Sequence, residues 1–152
     1  MIDRKDLDRV IEHCRAEHPY EACGILAGTL RGGERVVVRV YPTRNILRSP
    51  TRYQIDPEEQ IKIFEEIEGQ GLNIIGFYHS HPHFPARPSG IDRGMAYYPG
   101  HSYLIISLMG GGVEVGSYVW RDGFEEEDVK IVEQPPPQGG GEDSPPRRAS
   151  QV

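Results

Sequence analysis

This chain is organised around the stretch His79-Ser80-His81-Pro82-His83-Phe84-Pro85-Ala86-Arg87-Pro88-Ser89-Gly90-Ile91-Asp92, which directly follows the apolar run Asn73-Ile74-Ile75-Gly76-Phe77-Tyr78. The apolar run is typical of a buried strand. Side chains alternate between the faces of a strand, so His79 and His81 project from the same face. Asp92 follows after a short loop. Two imidazoles and one carboxylate can occupy three corners of a tetrahedral zinc site, and catalytic zinc keeps its fourth position for water. The spacing therefore predicts one zinc ion bound by His79, His81, Asp92 and a water molecule.

Ser89 precedes Asp92 by one helical turn. The segment Ser89-Gly90-Ile91-Asp92 fits a helix-capping pattern, with serine at the cap and an acid three residues later. Such a cap would hold Asp92 in place.

Together these residues resemble the JAMM motif of the MPN-plus zinc metallopeptidases. That family includes the deubiquitinating subunit of the proteasome lid and small prokaryotic relatives. Its pattern adds a glutamate near the end of the first helix, and Pro19-Tyr20-Glu21-Ala22-Cys23-Gly24 offers Glu21 there. The resemblance covers residues 1–133 and implies an α/β fold, a single domain with a mixed, curved sheet, flanking helices and a relationship to cytidine deaminases. The deaminase signature, His-x-Glu with Pro-Cys-x-x-Cys, is absent, so deamination is not expected.

The resemblance also implies roles for the site residues. Zinc lowers the pKa of its bound water toward neutrality. Glu21 would accept the proton of that water and pass it to the leaving amine. Ser89 would donate to the carbonyl oxygen as it gains negative charge, although its spacing equally allows a purely capping role. A glutamate at a helix-to-strand corner is usually solvated, so only the resemblance favours Glu21 as the base.

Three functions are considered. The first is a zinc isopeptidase that cuts after the C-terminal Gly-Gly of ubiquitin or a ubiquitin-like modifier attached to lysine. The second is a peptidase that releases cysteine or other residues from the C-terminus of a sulfur-carrier protein. The third is a non-catalytic MPN scaffold without metal. A scaffold is expected to have lost ligands, whereas this chain keeps all five expected residues.

Different segments favour the first two functions. The combination of Tyr78-His79-Ser80-His81-Pro82 and Ser89-Gly90-Ile91-Asp92 is similar to the proteasome-lid enzyme. The segments Glu21-Ala22-Cys23-Gly24 and Ser49-Pro50-Thr51 are more similar to small bacterial enzymes that release cysteine. Eukaryotic deubiquitinases of the family carry a longer insertion after the aspartate than this chain has before His101. Specificity for one polyubiquitin linkage is therefore not expected.

Apolar periodicity and turn residues predict the remaining elements. A helix is expected over residues 3–18 and a second over 57–69, capped by Asp56. The predicted strands cover residues 23–30, 35–41, 51–55, 73–81, 103–109, 113–120 and 124–133, and a short helix follows Asp92 to about Tyr98. Residues 1–133 form the predicted domain, and the Pro- and Gly-rich residues 134–152 a disordered tail.

Composition limits the partners. The chain has 152 residues, enough for one core, and 17 basic against 23 acidic residues give a net charge of −6, which argues against nucleic acid. Cys14 and Cys23 have no disulfide-framework spacing, so a reducing cytoplasm is expected, with Cys23 as a small buried residue. A charged N-terminus argues against a signal peptide, and no apolar run is long enough to span a membrane. The oligomeric state is left open.

Overall fold

The computed structural model describes residues 1–94 and 98–133, which form one mixed sheet with a helix packed on each face. The elements are β1 (Ile2–Asp3), α1 (Arg4–Glu17), β2 (Cys23–Arg31), β3 (Glu34–Thr43), α2 (Pro57–Gly69), β4 (Asn73–His81), α3 (Gly90–Gly94), β5 (Ser102–Ser107), a 3-10 turn (Met109–Gly111), β6 (Glu114–Trp120), β7 (Phe124–Glu127) and β8 (Ile131–Val132). The strand order is β7-β6-β5-β4-β2-β3-β1-β8. The pairs β4–β5, β1–β3 and β1–β8 are parallel, and the other neighbours are antiparallel.

The sheet curls into a half-barrel. Strands β7 and β8 lie at opposite ends of the strand order, yet β8 begins at Ile131 and β7 ends at Glu127. Such a step spans at most about 14 Å of extended chain. Eight flat strands would hold their edges roughly 34 Å apart. Arg35 of β3 also forms an ion pair with Glu127 across the gap, with an Nη1–Oε1 distance of 3.4 Å. The curved, mixed sheet expected from the family resemblance is confirmed.

Two apolar clusters fill the two faces of the sheet. On one face α1 contributes its predicted apolar positions, which pack with Tyr78 of β4. On the other face α2 packs Ile67 and Phe64 against Phe77 of β4. Helix α2 begins where the sequence predicts a cap, since the carboxylate of Asp56 accepts a backbone N–H bond at 3.0 Å. Asp3, which the prediction placed inside the first helix, caps α1 in the same way at 2.8 Å.

Three predicted elements differ from the observed ones. Residues 51–55 form no strand, because the side chain of Asn45 binds the backbone of the loop and leaves only one bridge, between Asn45 and Ile55. The predicted strand 124–133 is two strands, since the chain leaves β7 and joins β1 at the other edge. The helix around Asp92 starts at Gly90 and does not include Tyr98.

Residues 95–97 of that predicted helix, and the predicted tail 134–152, lie outside the described residues. The division into a domain and a tail therefore stays a prediction. Among the described helices, none combines the length and apolar character that crossing a bilayer requires.

Candidate metal centre

The end of β4 places both histidines of the motif at the centre of the sheet. His79 and His81 lie on one face of β4, which is flanked by β2 and β5, and both are at most 2 % exposed. Asp92 lies in the first turn of α3 and is 5 % exposed. The three residues expected from the spacing are thus brought together in a buried cluster.

The ligand atoms of this cluster are spaced as around a small cation. His79 Nε2 lies 3.2 Å from His81 Nε2 and 3.1 Å from Asp92 Oδ1. His81 Nε2 lies 2.9 Å from Asp92 Oδ2. Zinc bonded to nitrogen and oxygen at about 2.0–2.1 Å holds tetrahedral ligand atoms about 3.3 Å apart. Two imidazoles and one carboxylate also match the donor set of catalytic zinc sites.

A hydrogen bond sets the tautomer of His81. Its Nδ1 is 2.8 Å from the carbonyl oxygen of Pro85. A carbonyl only accepts, so Nδ1 carries the proton and Nε2 of the neutral ring presents a lone pair. That lone pair faces a carboxylate oxygen of Asp92, which also only accepts. Two acceptors in contact repel each other unless a proton or a cation lies between them, so the arrangement fits a bound metal ion.

Burial and hydrogen bonding give the ligands suitable charge states. Burial lowers the pKa of His79, which keeps its ring neutral and able to coordinate. Burial alone would raise the pKa of Asp92, but the adjacent histidines and the backbone N–H of Ser89 hold that pKa well below its usual range. The carboxylate is therefore ionised. The site therefore combines the neutral ring of His79 with the negative charge of Asp92.

Glu21 lies beside this cluster, although it comes before β2 in the chain. The pairing of Cys23 with His79 continues one residue further, because Ser80 N–H donates to the Ala22 carbonyl at 3.1 Å. Continuing the register places Glu21 opposite His81, on the face that carries the ligands. The backbone is anchored on the other side, where Glu21 N–H donates to Ser49 O and Glu21 O accepts from Asn45 Nδ2.

The carboxyl group of Glu21 is buried without compensation. The residue is 2 % exposed, and its Oε1 has no hydrogen-bond partner among the described residues. Burial, and then the negative charge of Asp92, raise the pKa of Glu21 to about 9. An acidic group in this environment can hold or release a proton near neutral pH once a positive charge is nearby.

Ser89 has the predicted capping contacts. Its Oγ accepts the N–H of Asp92 at 3.1 Å, and its own N–H donates to Asp92 Oδ2 at 2.9 Å. This reciprocal pair orients the Asp92 carboxylate toward the histidines. The hydroxyl oxygen is used as an acceptor, and no described residue accepts its proton. The geometry therefore leaves the hydroxyl able to donate to a substrate.

Two further histidines and Cys23 lie outside the cluster. The ring of His83 packs against His18, at a centroid distance of 5.6 Å, and His101 contacts Phe77 and Tyr98. Burial raises the pKa of Cys23 to about 12, so its thiol is a small buried group, as predicted.

One neighbour of the site was not predicted. The ring of Tyr53 stacks on that of His79, with centroids 4.6 Å apart and planes inclined by 22°. Tyr53 lies in the loop that leads to α2, far from the motif, so neither spacing nor periodicity indicates the contact.

Comparisons with known proteins show what this chain is similar to. The family model for prokaryotic homologs of the JAB domain matches residues 3–121. The chain is 38 % identical to a desampylase of Haloferax volcanii over 130 residues, which cover 82 % of this chain and 90 % of that protein. It is also 38 % identical to a CysO-cysteine peptidase of Mycobacterium tuberculosis over 137 residues, covering 88 % and 92 %. A solution structure of a Desulfitobacterium hafniense protein is similar with a TM-score of 0.79 and 38 % identity, covering 88 % of this chain and 94 % of that one.

Proposed function

This chain belongs to the prokaryotic JAB-domain branch of the JAMM/MPN metallopeptidase family, and from that premise we propose that it is a zinc-dependent isopeptidase. Its substrate is a ubiquitin-like modifier joined through its C-terminal Gly-Gly to a lysine side chain. The related desampylase and CysO-cysteine peptidase support hydrolysis at the C-terminus of a small protein.

The observation that carries the proposal is the convergence of ligand atoms from His79, His81 and Asp92 in a buried cluster, in which two acceptors, His81 Nε2 and Asp92 Oδ2, lie 2.9 Å apart. Only a cation or added protons can stabilise these atoms at such short distances. Bound zinc supplies a Lewis acid that polarises a carbonyl and lowers the pKa of water toward neutrality. The three side chains would hold that ion and leave its fourth position open.

Glu21 moves the proton. Without a cation its pKa is about 9, so the carboxyl is mostly protonated at neutral pH. A divalent cation beside it favours the ionised form. Glu21 then accepts the proton of the attacking water and delivers it to the amine that leaves. Its anchored backbone fixes the direction of both transfers.

Ser89 stabilises the charge that develops on the carbonyl oxygen. Its hydroxyl proton is free among the described residues, because the Asp92 backbone uses the oxygen of that hydroxyl only as an acceptor. A donor fixed by a helix start does not need to reorient during the reaction. Ser89 therefore serves both as the cap of α3 and as the donor to the substrate.

A second candidate is the release of cysteine from the C-terminus of a sulfur-carrier protein. The mycobacterial relative, whose name describes that activity, aligns over slightly more of this chain than the desampylase does. The site chemistry is identical, since only the amine that leaves differs. Substrate choice then depends on what surrounds the leaving group.

One competition reaction separates these functions. Purified protein is mixed with a lysine-linked ubiquitin-like conjugate and with a sulfur carrier bearing a C-terminal cysteine, and the products are followed by intact-mass spectrometry. We expect release of the lysine-linked modifier, and none when a zinc chelator is added. Release of cysteine alone would instead establish the second candidate. Stoichiometric zinc with neither substrate cut would contradict both.

Variants assign the roles. Glu21→Gln should retain zinc and lose turnover by a factor of about 10²–10⁴, the usual contribution of a general base. His79→Ala and His81→Ala should lose both zinc and turnover. Glu65→Gln, an exposed carboxamide substitution on α2, is the matched control and should behave as the parent. Full activity of Glu21→Gln would refute the base assignment. If the parent and Glu21→Gln were equally inactive and bound sub-stoichiometric zinc, the protein would be a scaffold.

A further inference from the structure

Side chains on one face of β6 form hydrogen bonds with the loop that connects His81 to the helix carrying Asp92. Residues 82–88 follow His81 and precede the helix that carries Asp92. Within this loop Ala86 is 5 % exposed, and both its backbone polar groups are bound by side chains of β6. Ala86 N–H donates to Glu114 Oε1 at 3.2 Å, and Ala86 O accepts the hydroxyl of Tyr118 at 3.0 Å.

Gly116 lies between Glu114 and Tyr118 in β6 and leaves room for the hydrogen bonds that they form with Ala86. A Cβ at Gly116 would lie 2.4 Å from Ala86 O, well inside van der Waals contact. Only glycine therefore lets the loop backbone approach the strand this closely. Glu114, Gly116 and Tyr118 project from one face because their spacing is two. We call these three residues the β6 clamp.

The clamped residue adjoins the group that sets the tautomer of His81. The carbonyl of Pro85 accepts the Nδ1–H of His81 at 2.8 Å, and it also accepts the N–H of Arg87. On the other side, Ser107 Oγ donates to the carbonyl of Phe84 at 2.6 Å. Three successive loop residues are thus held by three strands: Phe84 by β5, Pro85 by β4 and Ala86 by β6.

We propose that the β6 clamp positions the metal ligand His81 by holding the Pro85 carbonyl against its Nδ1–H, and that it thereby sets the affinity for zinc. This inference rests on the proposed function, because it concerns the same site. Among the described residues the side-chain hydrogen bonds from the clamp to this loop go to Ala86 and not to a metal ligand, so its members are positioning residues. Partners of this kind orient a ligand ring and raise its basicity.

The loop needs such support because it has few backbone hydrogen bonds of its own. Residues 82–88 contain three prolines, which lack backbone N–H donors, and the loop forms no helix or strand. Without the clamp the Pro85 carbonyl could turn away from His81. The ring would then be free to rotate or to change tautomer, and Nε2 would no longer be directed at Asp92.

Zinc affinity in competition with a chromophoric chelator is the first test. Tyr118→Phe removes one hydroxyl and should weaken zinc binding about tenfold, the lower end of the range for outer partners of a metal ligand. Gly116→Ala should weaken it more, by up to about 100-fold. Glu114→Ala should also weaken binding, whereas Glu114→Gln should restore it because its amide oxygen still accepts.

The matched control is Tyr41→Phe. It likewise removes a tyrosine hydroxyl that forms one hydrogen bond, to Glu66 at 3.1 Å on the exposed side of α2. This variant should bind zinc as the parent does. Equal affinity in Tyr118→Phe and the parent would overturn the proposal, and so would equal losses in Tyr118→Phe and Tyr41→Phe.

The second test measures, by NMR of metal-free, ¹⁵N-labelled protein, how fast the Nδ1–H proton of His81 exchanges with solvent. The parent should show a His81 Nδ1–H proton that exchanges slowly with solvent, and Tyr118→Phe should exchange it several-fold faster. An unchanged signal would overturn the proposal. Because this reading needs no zinc, it decides the role of the clamp independently. A parent that binds no zinc would contradict the proposed function instead.

Discussion

Replacing Glu21 with glutamine should change how the stability of the metal-free protein depends on pH. Glu21 is 2 % exposed, its Oε1 is unpartnered among the described residues, and its pKa is raised to about 9 by burial and by the charge of Asp92. In the unfolded chain the same carboxyl titrates near 4.5. Between these two values the folded protein holds a proton that the unfolded chain releases.

The sign and size of the effect follow from this difference. A raised folded-state pKa contributes stability that is fully present below pH 4.5 and is lost as pH rises toward 9. Each pH unit in that window costs about 1.4 kcal/mol for one proton. From pH 5 to pH 8 the free energy of unfolding should fall by up to about 4 kcal/mol in the parent relative to Glu21→Gln, whose amide does not titrate.

Urea unfolding in the presence of a zinc chelator measures this difference. Parent, Glu21→Gln and the exposed control Glu65→Gln are unfolded at several pH values from 5 to 8, and the free energies of unfolding are compared. Parent and control should lose stability together, while Glu21→Gln should lose less. Parallel pH curves for all three proteins would show that Glu21 is not buried in an uncompensated site, and the explanation of its high pKa would be wrong.

Two further outcomes test the metal site and the fold. Zinc at about a thousand times its dissociation constant should stabilise the protein by about 4 kcal/mol, and so raise its melting temperature by about 8–16 °C in a scanning calorimeter. His79→Ala should abolish that rise, and a rise in this variant as large as in the parent would place the ion elsewhere. Gly24→Ala should lower the free energy of unfolding by about 1–3 kcal/mol in urea, because its Cβ would lie 2.1 Å from the buried ring of Tyr78. Gly112→Ala, which meets open space at a φ of −96°, is its control, and equal stabilities for the two variants would refute the steric reason.

The sequence was most informative where the physical cause is local. The period of a strand places His79 and His81 on one face, and Ser89 lies one turn before Asp92, so short-range rules bring these side chains near each other. The capped start of α2 at Asp56 was equally predictable. The roles of His79, His81, Ser89 and Asp92 in catalysis stay predictions until variants are measured.

Contacts between distant segments were harder to predict. Tyr53 reaches His79 only because Asn45 organises the preceding loop, and the β6 clamp meets Ala86 only because β6 lies beside β5 in the sheet. The closure of the sheet likewise depends on where β8 pairs. Such pairings follow from the topology of the whole sheet, and the alternation within β6 gives no indication of its partner. The curvature itself was predicted only through the family resemblance.

Strand direction explains why the site draws on such distant parts of the chain. Strands β4 and β5 are parallel, and their C-terminal ends lie at the end of the sheet where the ligands lie. Their neighbours β2 and β6 run antiparallel to them, so β2 and β6 begin at that same end. A side chain that β2 supplies to this end of the sheet must therefore lie at or just before the start of the strand, as Glu21 does, and one supplied from β6 must lie near its start, as Glu114 does. A deletion that removed β6 would leave every residue of the motif intact but would release the loop between His81 and Asp92. On the proposed role of the β6 clamp, the part of the fold that zinc binding requires extends through β6, although the motif itself ends at Asp92.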